Sequence, residues 1–152
     1  STISNNRATN GAGLFNTGAI AANLTSTTIS SNSATNNGGG IYNQGSVSIS
    51  SSTLSGNSAT SNGGGIYNSG SLSISSSTIS SNTAGSAGGG ILNDVGSISL
   101  NSSTLSGNSA SIGGAILNYL GSLNISNSTL SGNSVANSGG GIWNNGSLSV
   151  SN

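Results

Sequence analysis

Residues 63–82 read GGGIYNSGSLSISSSTISSN, and the chain is six variants of that sentence placed one after another. Within it, Ser71-Leu72-Ser73-Ile74-Ser75 alternates a small polar residue with an aliphatic one. Period two is the pattern of a strand with one face buried. After the polar corner Ser75-Ser76-Ser77 the alternation resumes in Thr78-Ile79-Ser80, and a third short strand, Gly65-Ile66-Tyr67-Asn68, sits between a glycine turn and an Asn-x-Gly turn. Serine, glycine, asparagine and threonine dominate every window, which disfavours helix throughout.

The glycine turn can be followed by its first residue, at Gly11, Gly38, Gly63, Gly88, Gly113 and Gly139, with spacings of 27, 25, 25, 25 and 26. A fixed period of this size means stacked supersecondary units. The expected fold is all-β: a right-handed parallel β-helix forming a single β-solenoid domain over residues 1–152. It has about six coils of about 25 residues. Each coil carries three short strands, and each strand pairs with its counterpart one coil on. Right-handedness is what the crossover rule favours. The first unit carries two extra residues, read as a bulge or wider corner at 21–26. Units four and five lengthen one corner by a residue, in Asn93-Asp94-Val95-Gly96 and Asn118-Tyr119-Leu120-Gly121, and that corner should protrude.

Residues 146–152 followed by residues 1–6 read GSLSVSN then STISNN, in the phase of GSLNISNSTLSGN at 121–133. The chain thus starts and ends in mid-coil in matching phase. Two arrangements fit: ends that stack on copies of the chain, or a module of a longer array.

In the third unit Ile66, Leu72, Ile74 and Ile79 point inward, with Ala84 filling the last corner. So small an apolar core cannot offset the entropy of ordering a whole coil. Pairing between coils and side-chain ladders must supply the rest. Two asparagine series recur in phase: Asn6, Asn32, Asn57, Asn82, Asn108, Asn133 and Asn16, Asn43, Asn68, Asn93, Asn118, Asn144. Stacked amides bonding to one another or to corner backbone explain asparagine where a merely polar corner would accept many residues.

Composition narrows the function. The 152 residues include one arginine (Arg7), one acidic residue (Asp94), and no histidine, cysteine, methionine or proline. Near-zero charge removes the electrostatic basis for binding nucleic acid or anionic membrane, and no apolar run is long enough to insert in a membrane. No catalytic residue is expected, because Arg7 and Asp94 fall in different coils and no serine has a histidine or lysine to activate it. One carboxylate is too few hard ligands for a metal site, and no cofactor motif is present. Five Asn-x-Ser/Thr sequons occur, at Asn23, Asn101, Asn124, Asn127 and Asn145, and in so Ser/Asn-rich a chain several are expected by chance.

Gly113-Gly114-Ala115-Ile116, the five Gly-Gly/Ala-Gly-Ile/Leu variants of that turn, and Ile/Leu-x-x-Asn beginning at Leu54, Ile79, Leu105 and Leu130 resemble known motifs. They are similar to the GGAI and FxxN repeats of polymorphic outer-membrane proteins and related bacterial surface β-helix proteins, with Ile or Leu standing for Phe. The resemblance covers essentially the whole chain. It implies a right-handed, extracellular, adhesive or structural β-helix at the cell surface.

Two outward ladders are candidate contact surfaces. The residue after each core aliphatic of the glycine-turn strand forms an apolar strip, Phe15, Tyr42, Tyr67, Leu92, Leu117 and Trp143. It suits lateral packing between solenoids or stacking on sugar rings. The second ladder is Thr-x-Ser at Thr2, Thr28, Thr53, Thr78, Thr104 and Thr129. It sets hydroxyls about 6.6 Å apart along a strand and about 4.8 Å apart between coils. Such a grid resembles the Thr-x-Thr faces of solenoid ice-binding proteins. The leading expectation is a non-catalytic subunit that stacks head to tail on copies of itself, and packs side by side through the apolar strip. The competing expectation is an ice- or glycan-binding module.

Overall fold

The computed structural model describes residues 1–18 and 20–152. It is a stack of six coils whose strands form four parallel sheets of six strands each, and no helix occurs among the described residues. The expected solenoid is therefore present, with one strand per coil more than the three expected.

The hydroxyl sheet runs from Thr2–Ser4 to Thr129–Ser131, and the aromatic sheet from Leu14–Asn16 to Ile142–Asn144. The serine sheet runs from Ala22–Thr25 to Ser147–Ser151. The additional sheet is built mostly of pairs such as Ser58–Ala59 and Thr83–Ala84. A two-residue strand is too short to show period two, so Ala84, expected only as a corner filler, sits on a strand of its own.

Register is like on like. Ile66 lies over Ile41 and under Ile91, Asn68 over Asn43 and under Asn93, and Leu72 between Val47 and Ile98. Because side chains alternate, a slip of one residue would turn a core column outward, and the single long core enforces the pairing. That core takes one aliphatic per coil from the hydroxyl sheet, one from the aromatic sheet and two from the serine sheet: Ile79, Ile66, Leu72 and Ile74 in the third coil, all fully buried. Ala59 and Ala84 are buried on the short sheet.

The triple glycine is needed for three separate reasons. Gly63 has φ +64°, a left-handed corner. A Cβ on Gly64 would lie 2.5 Å from the backbone of Thr83, on the short strand that follows it. A Cβ on Gly65 would lie 3.3 Å from the amide of Asn82 and 2.6 Å from the carbonyl of Gly90. The turn is bare because the chain passes directly against it.

The wider region of the first coil is not at 21–26. Ala22 pairs with Val47, Leu24 with Ile49 and Thr25 with Ser50, while upstream Asn16 pairs with Asn43. The two extra residues therefore fall in the corner before Ala22. An insertion inside the strand would have thrown Leu24 out of the core. An irregularity does occur between Ala110 and Ile112 on the short sheet, where Ala110 pairs with Val135 but Ile112 with Ser138. The lengthened corners of coils four and five protrude as expected, with Val95 60 % and Leu120 59 % exposed.

Candidate functional site: internal ladders and outward columns

Both asparagine series are buried between the end coils, from Asn32 to Asn108 and from Asn43 to Asn118, while Asn6 and Asn144 at the ends are exposed. The backbone N–H and Nδ2 of Asn82 donate to Oδ1 of Asn108, each at 3.0 Å, and Nδ2 also donates to the carbonyl of Leu54 at 3.0 Å. Oδ1 of Asn82 in turn accepts from the N–H and Nδ2 of Asn57 at 2.9 and 3.0 Å. Asn32, Asn57 and Asn108 repeat this pattern, and all four are buried. In the second series Nδ2 of each asparagine donates to Oδ1 of the next, from Asn16 through Asn43, Asn68, Asn93 and Asn118 to Asn144, at 2.7–2.8 Å. The two chains run in the same direction. Each amide turns its oxygen to the preceding coil and its nitrogen to the following one, and hydrogen bonds chained in this way polarise one another.

Two further ladders escape a reading of the sequence. At the corner between serine and hydroxyl sheets, the N–H groups of Thr27, Ser52, Ser77 and Ser103 donate to the hydroxyls of Ser52, Ser77, Ser103 and Ser128 at 3.0–3.1 Å. Each of these serine hydroxyls donates to the carbonyl two residues back at 2.7 Å. In-phase recurrence was the available signal, but one serine in a serine-rich corner does not stand out. Ahead of the glycine turns, Asn10 Oδ1 accepts from the N–H of Asn37, and Asn37 Oδ1 accepts from Nδ2 of Asn62. That column continues as Ala87 and Ile112. Among the described residues no buried side-chain nitrogen or oxygen lacks a partner.

The change from asparagine to Ala87 and Ile112 decides the state of the apolar strip. In the first three coils the rings of Phe15, Tyr42 and Tyr67 stack, with centroids 4.9 and 4.8 Å apart and planes within 4°. Phe15 is 53 % exposed and the two tyrosines are half-buried. Their facing sides are taken up by one another, which leaves mainly ring edges and hydroxyls outward. In coils four and five, Leu92 and Leu117 are each only 7 % exposed, packed with Ala87 against Tyr67, Ile112 and Trp143. The strip is thus open over the stacked rings and sealed in its middle.

The Tyr67 hydroxyl donates to Oδ2 of Asp94 at 2.9 Å. Burial first, then that hydrogen bond and the carboxylate's charge, raise the Tyr67 phenol well above the ordinary tyrosine range.

The Thr-x-Ser ladder lies on the outer side of the hydroxyl sheet with threonine over threonine in all six strands. Thr28, Thr53, Thr78 and Thr104 are half-buried and Thr129 is exposed. The five sequon asparagines, Asn23, Asn101, Asn124, Asn127 and Asn145, are exposed on the serine sheet or at its two corners. Arg7 is exposed on the short sheet of the first coil, three coils from Asp94. Among the described residues no three His, Cys, Asp or Glu side chains group to hold a metal ion, and no helix is long and apolar enough to cross a membrane.

Residues 26–44 and again 51–69 match the Chlamydia polymorphic membrane protein repeat. Each stretch spans a Thr-x-Ser strand, the asparagine that follows it, and a Gly-Gly-Gly-Ile turn. No curated protein and no solved structure matches the chain. The matched motifs are those that place the buried amides and the bare turn, so the likeness lies in how a coil is built. The chain is a parallel β-solenoid whose coils are similar to the repeat of the Chlamydia polymorphic membrane proteins.

Proposed function

We propose that the chain is a non-catalytic rod segment of an extracellular, cell-surface protein of adhesive or structural role. Its coil stack is continued head to tail by coils of the same kind, supplied by another copy or by further repeats of the same chain. The observation that carries this reading is the polarity of the amide ladders. Asn6 Oδ1 faces out of the first coil as an acceptor, while the N–H of Asn133 faces out of the last as a donor, the same pair that joins Asn82 to Asn108 inside the stack. In-register parallel pairing throughout the hydroxyl, aromatic and serine sheets lets a further coil add without new chemistry. Likeness to a surface-protein repeat supports the location.

Cysteine cross-linking tests stacking between copies. Ser4 and Ser131 lie on the first and last strands of the hydroxyl sheet, five strand spacings apart within one chain. In a head-to-tail stack, Ser131 of one copy would pair with Ser4 of the next, at a strand separation that a disulfide spans. Oxidising the Ser4→Cys/Ser131→Cys variant should yield a ladder of covalent oligomers. Monomer alone would refute stacking between copies.

Threonine over threonine in six consecutive strands favours a second reading, a hydroxyl grid that binds ice. Bulky residues at Thr53, Thr78 and Thr104 should then abolish ice shaping, while leaving head-to-tail stacking intact. Ice crystals grown with the wild-type chain and showing no faceting would refute this second reading.

A further inference from the structure

The corner between the aromatic and serine sheets carries a groove of about 530 Å³ that nothing in the proposed rod requires. Its floor is a column of glycines, Gly70, Gly96 and Gly121. Coil packing keeps that floor bare, because a Cβ on any of the three would run into the glycine carbonyl one coil before. One side is the serine column Ser71, Ser97, Ser122 and Ser147, held in register by the serine sheet. The other side is Val95 and Leu120.

Val95 and Leu120 lie in the lengthened corners of coils four and five. Stacking does not need the extra residue, since coils two, three and six close the same corner without it. In a chain made mostly of serine, glycine, asparagine and threonine, these corners carry large aliphatics, 60 and 59 % exposed and outside the core. Ile20, in the longer corner of the first coil, is likewise 88 % exposed. Exposed apolar side chains at one corner, over a floor that must stay open, point to a contact made there.

The lining sets the chemistry of the occupant. It contains no charged side chain, and the nearby Asp94 carboxylate is turned onto the Tyr67 hydroxyl. An ionic ligand would therefore find no counter-charge. The backbone of the floor is already committed: the N–H groups of Ser97, Ser122 and Ser147 donate to the carbonyls of Gly70, Gly96 and Gly121 at 2.9–3.0 Å. A peptide cannot add to this corner as a strand. No described side chain holds the hydroxyls of the four column serines, which leaves a row of free donors and acceptors opposite two aliphatic knobs. That combination suits a sugar ring, with its C–H face and hydroxyl rim, and the groove's volume is that of a small-ligand site.

We propose that this groove binds a neutral oligosaccharide lying along the solenoid axis. The C–H faces of its rings rest on Val95 and Leu120, and its hydroxyls bond to Ser71, Ser97, Ser122 and Ser147.

The test is an amide-resolved NMR titration of the isotopically labelled chain with cellotriose, chitotriose and maltotriose, each taken to millimolar concentration. The expected result is a saturable shift of the Gly70, Gly96, Gly121, Ser97 and Ser122 amides with at least one of the three. The Val95→Ser/Leu120→Ser variant, changed only at exposed positions, should keep the wild-type spectrum elsewhere and bind at least about tenfold more weakly, as expected for losing two aliphatic contacts. No shift with any of the three sugars overturns the proposal. So does a shift that maps to Phe15, Tyr42 and Tyr67 instead, or one that the double variant retains at full affinity.

Discussion

Replacing Asn82 by alanine tests the internal ladders at their centre. Asn82 is buried, and its amide joins three coils. Truncation leaves the Asn57 N–H and Nδ2 without their shared acceptor, and deprives the Leu54 carbonyl and Asn108 Oδ1 of a donor. A buried donor left unpaired costs about 1–3 kcal/mol, so two of them give about 3–5 kcal/mol. In a chain of this length that lowers the melting temperature by about 8–15 °C. Urea unfolding followed by circular dichroism measures the loss as a shift in midpoint at unchanged slope. Ser80→Ala, on the outer side of the neighbouring strand, is the control and should stay within about 0.5 kcal/mol. A loss below about 1 kcal/mol for Asn82→Ala would refute the claim that the amide ladder holds the coils together.

Asn82→Asp adds a pH dependence. Burial and the facing Asn108 oxygen raise that carboxyl in the folded state, so stability should fall as pH climbs above about 3.9, the unfolded carboxyl's value, and recover in acid. Gly63→Ala should destabilise by about 2 kcal/mol or more, since φ is +64° and the new Cβ would fall under 3.0 Å from Ile66; a denaturant midpoint equal to wild type would contradict this. Ser81 has φ +55° at a corner that glycine fills in the adjacent coils, as Gly56 and Gly107. Ser81→Gly should therefore stabilise by about 0.5–1 kcal/mol by the same assay, and a loss would show that the serine is held there by more than its backbone. Ser77→Ala should cost about 1–2 kcal/mol by orphaning the Ser52 N–H, whereas Ser73→Ala on the exposed column should cost almost nothing. The raised Tyr67 phenol favours the folded state below about pH 10, where unfolded tyrosine ionises, and that advantage is lost as pH rises further. Phenolate absorbance should show a step well above the ordinary tyrosine range, and Tyr67→Phe should remove it.

Much of this architecture was legible because a solenoid repeats its physics. Residues at one phase meet their own kind one coil on, so a column such as Ile41, Ile66, Ile91 and Ile116 states both its burial and its register. The buried amides were legible for the same reason, asparagine recurring where only its shape and paired donor and acceptor serve. The extra sheet was not, because Ser58–Ala59 is shorter than the pattern that identifies a strand. Nor was the sealing of Leu92 and Leu117, which depends on Ala87 and Ile112 replacing asparagine in a different column. The widened corner was misplaced because Ala22-Asn23-Leu24-Thr25 departs from the aliphatic pattern at Ala22, where the later coils carry Val47 or Leu72. The groove was half legible: the sequence announced longer corners, but a floor of glycines held in line by coil packing emerges only once the coils are stacked.

The central proposal, in the form that the isolated chain can test, is that these coils stack head to tail on the coils of further copies. Negative-stain electron microscopy of the isolated chain at micromolar concentration tests it most directly. The account predicts long, unbranched rods with an axial period near the height of six coils, about 29 Å. A field of dispersed single particles at every concentration examined would contradict it.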